Sequence, residues 1–487
     1  MIGARRRDAL VLLFFLCFFG VLSSGRLASS DAGEQLRASI LVARTGSAGA
    51  DAPPAGGWIR APDGRYYEPH DLGNLLLMLP AAWLGASLSP APLAAQIANP
   101  PLLARVVVSL SCAVLAAIAC AWMFRLLAFY TRTRTAFLMA VAFPVTTIFL
   151  AYARAAWDVL GACCLICGVL YYSIAILRDV HPRRSALLLA STLAAAFAFR
   201  YSLAPFLTPA AAYIVWTARR SIGSRGLVAA VVVFAILMAP SFAYNFIRTG
   251  SALRPAAASA RYLAGANALT GSIPHGAYGL LLSPNRGLFV FSPVLLVSAG
   301  LPFAWSRLLR EQRVVIAAYT LAAAAYILLI SKMAAWGVFG WGPRYLVPIL
   351  PIVFLAACFT ALSSRGTARV FIGVAAVLSA VLTLPTAVVN WHLATTTWPE
   401  AMNPDATMPY QQIAGWKALA GGLAGRSLPV PDDIKQDRLR TTTAAFPDLL
   451  LARLARQSRS GALAAATILM VALGAAVSCS RRLMVDG

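Results

Sequence analysis

The first carboxylates beyond the N-terminal tail follow an apolar run directly. The stretch SSDAGEQLRASILVARTG carries Asp31 and Glu34 three residues apart, with Gly46 as the point where a short interfacial helix would end. An ionised carboxylate at membrane depth could act as a base that removes a proton from a hydroxyl group. The same spacing fits a capping box, in which Asp31 caps the helix and Glu34 reaches back to free amides. Both roles stay open at this point.

A second group of polar residues follows in DGRYYEPHDLG, on a turn opened by an Asp-Gly pair. It supplies Arg65, Tyr66, Tyr67, His70 and Asp71. Such a polar and aromatic cluster suits the binding of sugar and phosphate groups. The alternative is an aromatic belt at the membrane interface with solvated charges. A lone histidine does not indicate a metal site, so we assign His70 no metal.

Three further segments place ionisable or aromatic residues at the ends of apolar runs. YARAAWDVLG carries Arg154 and Asp158, which are functional candidates if they reach a bundle interior but could also pair locally at i,i+4 spacing. Arginine and lysine at an interface can neutralise a phosphate, or can simply snorkel. SPNRGLFVFSP and SKMAAWGVFGWGPRYLVP contribute Asn285, Arg286, Lys332, Trp341, Arg344 and Tyr345.

The composition of the chain shows what must position these residues. Of 487 residues, 60% are hydrophobic and only 12% are charged, whereas soluble proteins are typically about 25% charged. The apolar residues form continuous runs, and roughly 20 such residues cross a bilayer as a helix. Continuous runs favour helices over a transmembrane barrel, whose strands alternate. The sequence therefore predicts an all-α polytopic membrane protein.

About twelve apolar runs predict a single membrane domain over residues 1–487, a transmembrane helical bundle. Residues 72–88 are apolar but short and contain Pro80, which suits an interfacial or re-entrant helix better than a crossing. The first run could instead be a cleaved signal peptide. The runs centre on residues 9–24, 102–128, 135–151, 157–177, 185–199, 203–217, 226–247, 288–305, 314–331, 345–362, 370–390 and 461–479.

The connections between the runs alternate in character. Short basic ones, among them YTRTR, RDVHPRR and SSRGTAR, would lie in the cytoplasm with both termini. The long ones, residues 25–101, 248–287 and 391–460, would form outer-face loops with interfacial helices. We therefore expect a multi-pass protein of the bacterial cytoplasmic membrane whose chemistry occurs on the outer face.

The formal net charge of +24 does not indicate a nucleic-acid partner, because the basic residues lie in short clusters between apolar runs. Topology and anionic membrane lipids explain them better. The eight cysteines lie in or beside apolar runs, so we expect no disulfide framework. Cys164 and Cys167 have metal-site spacing but no polar neighbours, which favours packing.

Taken in order, these motifs resemble the glycosyltransferase C superfamily, within it the bacterial polyprenyl-phosphate-sugar-dependent enzymes related to protein mannosyltransferases and the lipid A aminoarabinose transferase. The resemblance runs from Asp31 to about Leu350 and rests on the acidic pair after the first run, DGRYYEPHDLG, YARAAWDVLG, SPNRGLFVFSP and WGVFGWGPRYLVPILP. It implies that the catalytic acid of the first loop falls on Asp31, beside Glu34, and that a further functional Asp falls on Asp158. DAGE departs from the usual acidic pair, which leaves a divalent metal ion open as a cofactor.

The expected function is an inverting hexosyl- or pentosyltransferase of the cell envelope, taking its sugar from a polyprenyl-phosphate carrier. The partners would be that donor, a glycan, lipid or protein acceptor, and membrane lipids. A phosphate leaving group needs no acid, so one carboxylate base and a cationic clamp suffice. A secondary transporter or a lipid or polysaccharide flippase is the alternative. Transporters place polar groups near the midplane of repeated halves, and no such repeat is evident.

Overall fold

The computed structural model describes residues 3–27, 29–54, 57–256, 268–337, 340–426 and 446–485. Residues 257–267 and 427–445, within two of the predicted long loops, lie outside that description. The regular secondary structure of the described residues is helical apart from one two-stranded antiparallel sheet, β1 (Ile59–Arg60) with β2 (Tyr66–Tyr67), and an isolated bridge between Ala50 and Tyr66. The first half contains α1 (Ala4–Leu22), α2 (Ser30–Thr45), α3 (Leu72–Leu88), α4 (Leu93–Ala98), α5 (Leu102–Leu127), α6 (Thr133–Val145), α7 (Phe149–Ala153), α8 (Asp158–Leu177), α9 (Pro182–Phe199), α10 (Ala204–Thr217) and α11 (Arg219–Thr249).

The second half has the same character, with more interruptions. Short 3₁₀ segments cover Tyr201–Leu203, Pro293–Gly300, Trp305–Arg307 and Arg344–Ile349. The α-helices are α12 (Ile273–Leu281), α13 (Leu288–Phe291), α14 (Leu301–Ala304), α15 (Arg310–Ser331), α16 (Leu350–Ser363), α17 (Thr367–Val388), α18 (Trp391–Thr396), α19 (Pro399–Met402), α20 (Tyr410–Leu423), α21 (Leu450–Gln457) and α22 (Arg459–Val485).

The prediction of a polytopic helical membrane protein is confirmed. Within the described residues, 7 helices are long and apolar enough to cross a membrane. The remaining predicted runs form shorter or broken helices, such as α6 followed by α7 and the segments from α13 to Arg307. The count of about twelve crossings therefore stays a prediction.

The two segments predicted as interfacial helices are helical and form α2 and α3, while their position at a membrane interface stays a prediction. The helix α2 ends at Gly46, whose φ of 73° is left-handed and suits glycine, as the sequence indicated. Residues 72–88 form α3, which continues through Pro80. It packs closely on α5, because a Cβ added at Gly85 would lie 2.6 Å from the Ala104 Cβ atom.

Contacts between charged side chains and their neighbours sort the helix ends into two groups. In one group Asp8 at the start of α1 pairs with Arg125 near the end of α5, at 3.2 Å. Arg178 after α8 donates to the Phe129 carbonyl after α5 and pairs with Glu311 at the start of α15. We call this set of ends the basic end.

The opposite ends meet around Arg154, after α7. Its guanidinium donates to carbonyls of Leu22 and Val389, where α1 and α17 end. Arg200, after α9, contacts Tyr326 in the last turns of α15. We call this set the loop end, because the long connections after α1, α11 and α17 leave from it. The predicted alternation of short basic and long connections thus matches the two ends, whereas the side of the membrane that each end faces stays a prediction.

Candidate active site

Asp31 lies in the first turn of α2, at the loop end. Its side chain is 34% exposed, and its Oδ2 atom lies 3.3 Å from Arg344 Nη1 and 3.7 Å from His70 Nε2. The three residues come from parts of the chain far apart in sequence. A partly exposed carboxylate is thus held between two basic side chains.

The capping-box interpretation of Asp31 and Glu34 is wrong. The N-cap of α2 is Ser29, whose side chain accepts from the Ala32 amide at 3.1 Å. The Glu34 carboxylate accepts from Arg37 at 2.6 Å and from Trp58 Nε1 at 2.8 Å, so it does not reach back to the cap. Burial raises the pKa of Glu34. Asp31 is therefore not needed to cap the helix, although a carboxylate in a first turn is favourable.

The surroundings of His70 favour its protonated form. Its Nδ1 atom forms a very short contact with Oε1 of the buried Glu68 carboxylate. Burial alone would lower the histidine pKa, but the attraction and hydrogen bond of Glu68, together with the charges of Asp31 and Asp158, raise the pKa of His70 to about 10. A protonated His70 can attract a phosphate, but it has no basic nitrogen for a proton transfer at neutral pH.

Asp158 opens α8, where its Oδ1 atom accepts from the Val159 amide at 2.9 Å. Its Oδ2 atom accepts from Arg200 Nη1 at 2.7 Å. The predicted local pair with Arg154 is wrong, because Arg154 instead satisfies buried carbonyls across the bundle. Arg200 also donates to the Tyr326 hydroxyl at 3.2 Å and lies 4.6 Å from the centre of the Tyr345 ring.

Arg344 begins the 3₁₀ segment that leads into α16. Its guanidinium carbon stands 4.5 Å from the centre of the Trp157 ring and 5.3 Å from that of Tyr345. The Nη1 atom reaches Asp31, while the buried Nε atom has no hydrogen-bond partner among the described residues. Buried donors normally find partners, so this guanidinium retains capacity to bind a further acceptor.

These contacts define the Asp31 cluster, consisting of Asp31, Glu68, His70, Asp158, Arg200 and Arg344. Its three carboxyl groups and three basic groups balance formally when His70 is protonated. Each carboxylate contacts a basic side chain, and in the described part of the chain no group of three His, Cys, Asp or Glu side chains is placed to hold a metal ion. A divalent metal ion as cofactor, left open by the sequence, stays a prediction.

Two predicted residues support the cluster from its edge, and two lie apart from it. Asp71 precedes α3 and accepts from the Tyr201 amide at 3.0 Å, and burial raises its pKa to about 6. Tyr345 packs under Arg200 and Arg344. Arg65 instead pairs with Asp51 at 3.3 Å on an exposed turn, and Tyr66 belongs to β2.

The other predicted residues form contacts that hold the loop end together. Asn285 Nδ2 donates to the Asn403 carbonyl and Arg286 Nη1 to the Gly340 carbonyl, each at 2.6 Å. The buried Trp341 ring lies 5.6 Å from Phe291 and 6.3 Å from Trp391. Lys332 closes α15 through its backbone amide. None of these contacts is to a member of the Asp31 cluster.

Sequence reasoning did not select Glu68, Arg200 or Tyr326 as site residues. Glu68 lies inside DGRYYEPHDLG, and Arg200 occupies a turn between two apolar runs, like Arg154. For Glu68 and Arg200, the sequence feature that could have indicated a site residue was a charged side chain at the end of a predicted helix. Only the fold shows that Arg200 points to Asp158.

Comparison with known proteins gives matches of structure alone. No family model and no curated protein matches the chain. The structure is similar to that of ArnT from Cupriavidus metallidurans bound to undecaprenyl phosphate, with 16% identity, a TM-score of 0.49, and coverage of 98% of this chain and 77% of that chain. For the structure of ArnT from the same organism in the apo state, the identity is 14%, the TM-score is 0.48, and the match covers 98% of this chain and 75% of that chain. Such a structural similarity does not establish a shared reaction, which depends on the side chains of the site.

Proposed function

We propose that the protein is an inverting glycosyltransferase that moves a sugar from a polyprenyl-phosphate carrier to an acceptor hydroxyl on the outer face of the bacterial cytoplasmic membrane. One observation carries the proposal. At one end of a membrane helix bundle, the partly exposed Asp31 carboxylate lies between Arg344 and a protonated His70. This arrangement places a base and a cationic clamp within a few ångströms of each other.

The two kinds of group have separate roles in such a reaction. Asp31 takes the proton of the acceptor hydroxyl, whose oxygen attacks the anomeric carbon from the face opposite the departing phosphate. The bond between that carbon and the phosphate oxygen breaks, its electron pair leaves with the carrier, and the configuration inverts. Arg344 and His70 stabilise the charge that develops on the phosphate.

The aromatic residues around Arg344 support its role as the phosphate ligand. Trp157 and Tyr345 hold the guanidinium plane by stacking, which limits its rotamers. With Nε available, the planar fork can grip phosphate oxygens while the other side of the group faces Asp31. A lysine offers no such fork, so the two residues are not equivalent at this position.

A secondary transporter or a flippase is the second candidate function. The Asp31 cluster lies at helix ends and beside α2, whereas transporters usually bind their substrates near the bilayer midplane between broken helices. This placement favours chemistry on a substrate at the membrane interface over its passage through the bundle.

The decisive experiment follows release of the free carrier. Purified protein is incubated with a panel of polyprenyl-phosphate sugars and with glycan, lipid and protein acceptors, and the released polyprenyl phosphate is quantified. We expect release with at least one donor and acceptor pair, lost more completely in Arg344→Ala than in Arg344→Lys. Transfer of labelled lipid across proteoliposome membranes without any release would support the flippase instead.

A further inference from the structure

A cavity of about 480 Å³ opens at the basic end, away from the Asp31 cluster. One wall is the interrupted stretch from Pro293 to Arg307, and the other is the turn between α16 and α17. The stretch consists of 3₁₀ segments around the short helix α14. Irregular backbone at membrane depth is tolerated where it is buried in protein or lines a cavity.

The lining of the cavity is divided between apolar and basic side chains. Leu296, Phe303 and Phe371 line it and are 42%, 86% and 63% exposed. Arg307 and Arg365 line it as well. Arg307 donates from Nη1 to the Ser363 carbonyl at 2.9 Å, which satisfies the last turn of α16. The cavity therefore joins an exposed apolar surface to two guanidinium groups.

The charge around the cavity is of one sign. The ranges 293–310 and 358–372 contain Arg307, Arg310, Arg365 and Arg369 but no Asp or Glu. The next carboxylate along the chain, Glu311, pairs with Arg178 at 3.5 Å. Nothing in these two segments neutralises the basic side chains at the mouth of the cavity.

We infer that this cavity binds one diacyl phospholipid with an anionic headgroup. Its acyl chains lie against Leu296, Phe303 and Phe371, and its phosphate is held by Arg307 and Arg365. Charge complementarity selects the lipid, because basic pockets between transmembrane helices attract anionic headgroups, with a contribution of roughly fivefold in affinity per Arg. The inference concerns a surface separate from the Asp31 cluster and does not depend on the transferase reaction.

The test measures lipid retained by the full-length protein. Detergent-purified protein is equilibrated with equal amounts of dioleoylphosphatidylglycerol and dioleoylphosphatidylcholine, and bound lipid is counted by native mass spectrometry. We expect the parent to retain phosphatidylglycerol in excess. The double variant Arg307→Gln/Arg365→Gln should bind phosphatidylglycerol roughly 25-fold more weakly, which is about fivefold for each Arg removed.

Two further variants distinguish lipid binding at the cavity from a general effect of positive charge. Arg220→Gln/Arg225→Gln removes two charges near the start of α11, outside the cavity, and should leave retention unchanged. Ala368→Trp fills the cavity while keeping both arginines, and should reduce retention. Equal binding of the two lipids by the parent, equal losses in both double variants, or displacement of the lipid by inorganic phosphate alone would overturn the inference.

Discussion

The loop end and the basic end of the bundle use the same residue types in different ways. At the loop end Arg154, Arg200 and Arg344 are nearly buried, and each contacts several partners on different helices. At the basic end Arg125 and Arg178 are 40% and 32% exposed and contact single carboxylates and aromatic rings. Arginine side chains at the loop end are therefore more buried and have more partners than Arg125 and Arg178 at the basic end.

The carboxylates show the same contrast. The loop end holds two buried carboxylates, Glu68 and Asp448, together with the partly buried Asp31, Glu34, Asp71 and Asp158. At the basic end Asp8 and Glu311 are partly buried, and neither is fully buried. Buried charges are costly to leave unpaired, and exposed pairs contribute little. Substitutions should therefore have large effects at the loop end and small ones at the basic end.

The largest effect is expected for Asp31→Asn at the loop end. Loss of a general base should lower turnover by about 100- to 10,000-fold. Stability should change little, because Ser29 caps α2. Carrier release and the thermal midpoint are measured beside the parent, with Glu34→Gln as the matched control, for which a milder loss is expected. Near-normal turnover in Asp31→Asn would remove Asp31 from the mechanism.

The next effect concerns folding rather than turnover and falls on Asp448. Arg26 grips this buried carboxylate at 2.6 Å, with Arg453 at 2.9 Å and Arg154 at 3.3 Å. Burial alone would raise the pKa of Asp448, but the three positive charges lower it to about 2.

Asp448→Asn should cost about 3–5 kcal/mol of unfolding free energy, because the buried guanidinium groups of Arg26 and Arg154 and the partly buried one of Arg453 lose their counter-charge. The measurement is the unfolding free energy in one detergent, by denaturant titration. Asp405→Asn, which removes an exposed partner of His275, is the control and should change stability by about 0.5 kcal/mol or less. Equal losses in the two variants would contradict the contrast between buried and exposed pairs.

The sequence predicted the elements and part of the site. Apolar runs located the helices, Gly46 marked the end of α2, and Asp31, His70, Asp158 and Arg344 were selected as candidates that the fold brings together. Each of these carries its own local signal, a charged residue at the end of an apolar run.

The missed features depend on partners far apart in sequence. Arg26 and Asp448 are separated by 422 residues, and Arg154 reaches carbonyls on α1 and α17. The i,i+4 spacing favours Asp158 as the partner of Arg154. In the fold, Arg154 instead donates to carbonyl groups at the ends of other helices, because those carbonyls have no partner within their own helix. The choice between such partners is made by tertiary packing.

A smaller and pH-dependent effect is expected for His70→Gln. The folded protein holds the pKa of His70 at about 10, above the ordinary value of about 6.5. Its protonation therefore stabilises the fold fully below pH 6.5, and this contribution is lost as the pH rises toward 10.

The stability difference between the parent and His70→Gln should thus be largest near pH 6, about 1.5–3 kcal/mol for a charged hydrogen bond, and should shrink by pH 9.5. Unfolding free energies are compared at several pH values, with His275→Gln as an exposed control that should show a much smaller difference. A difference that grows with rising pH would refute the assignment of His70 as a buried cation.

The smallest effect is expected at the basic end, for Arg178→Gln. Arg178 pairs with Glu311 at 3.5 Å and stands 5.3 Å from the ring centres of both Phe129 and Tyr130. An exposed pair contributes about 0–1 kcal/mol, and a partly exposed cation–π contact about 0.5–1 kcal/mol. Glutamine keeps the aliphatic stem, so the loss of unfolding free energy should stay near 1 kcal/mol and turnover should be unchanged.

A double-mutant cycle of Arg178→Gln with Glu311→Gln measures the coupling energy of the ion pair, which should weaken further in high salt because exposed charges are screened. A loss as large as that of Asp448→Asn would show that the charges of the basic end hold the fold as firmly as those of the loop end, and the contrast between the two ends would fail.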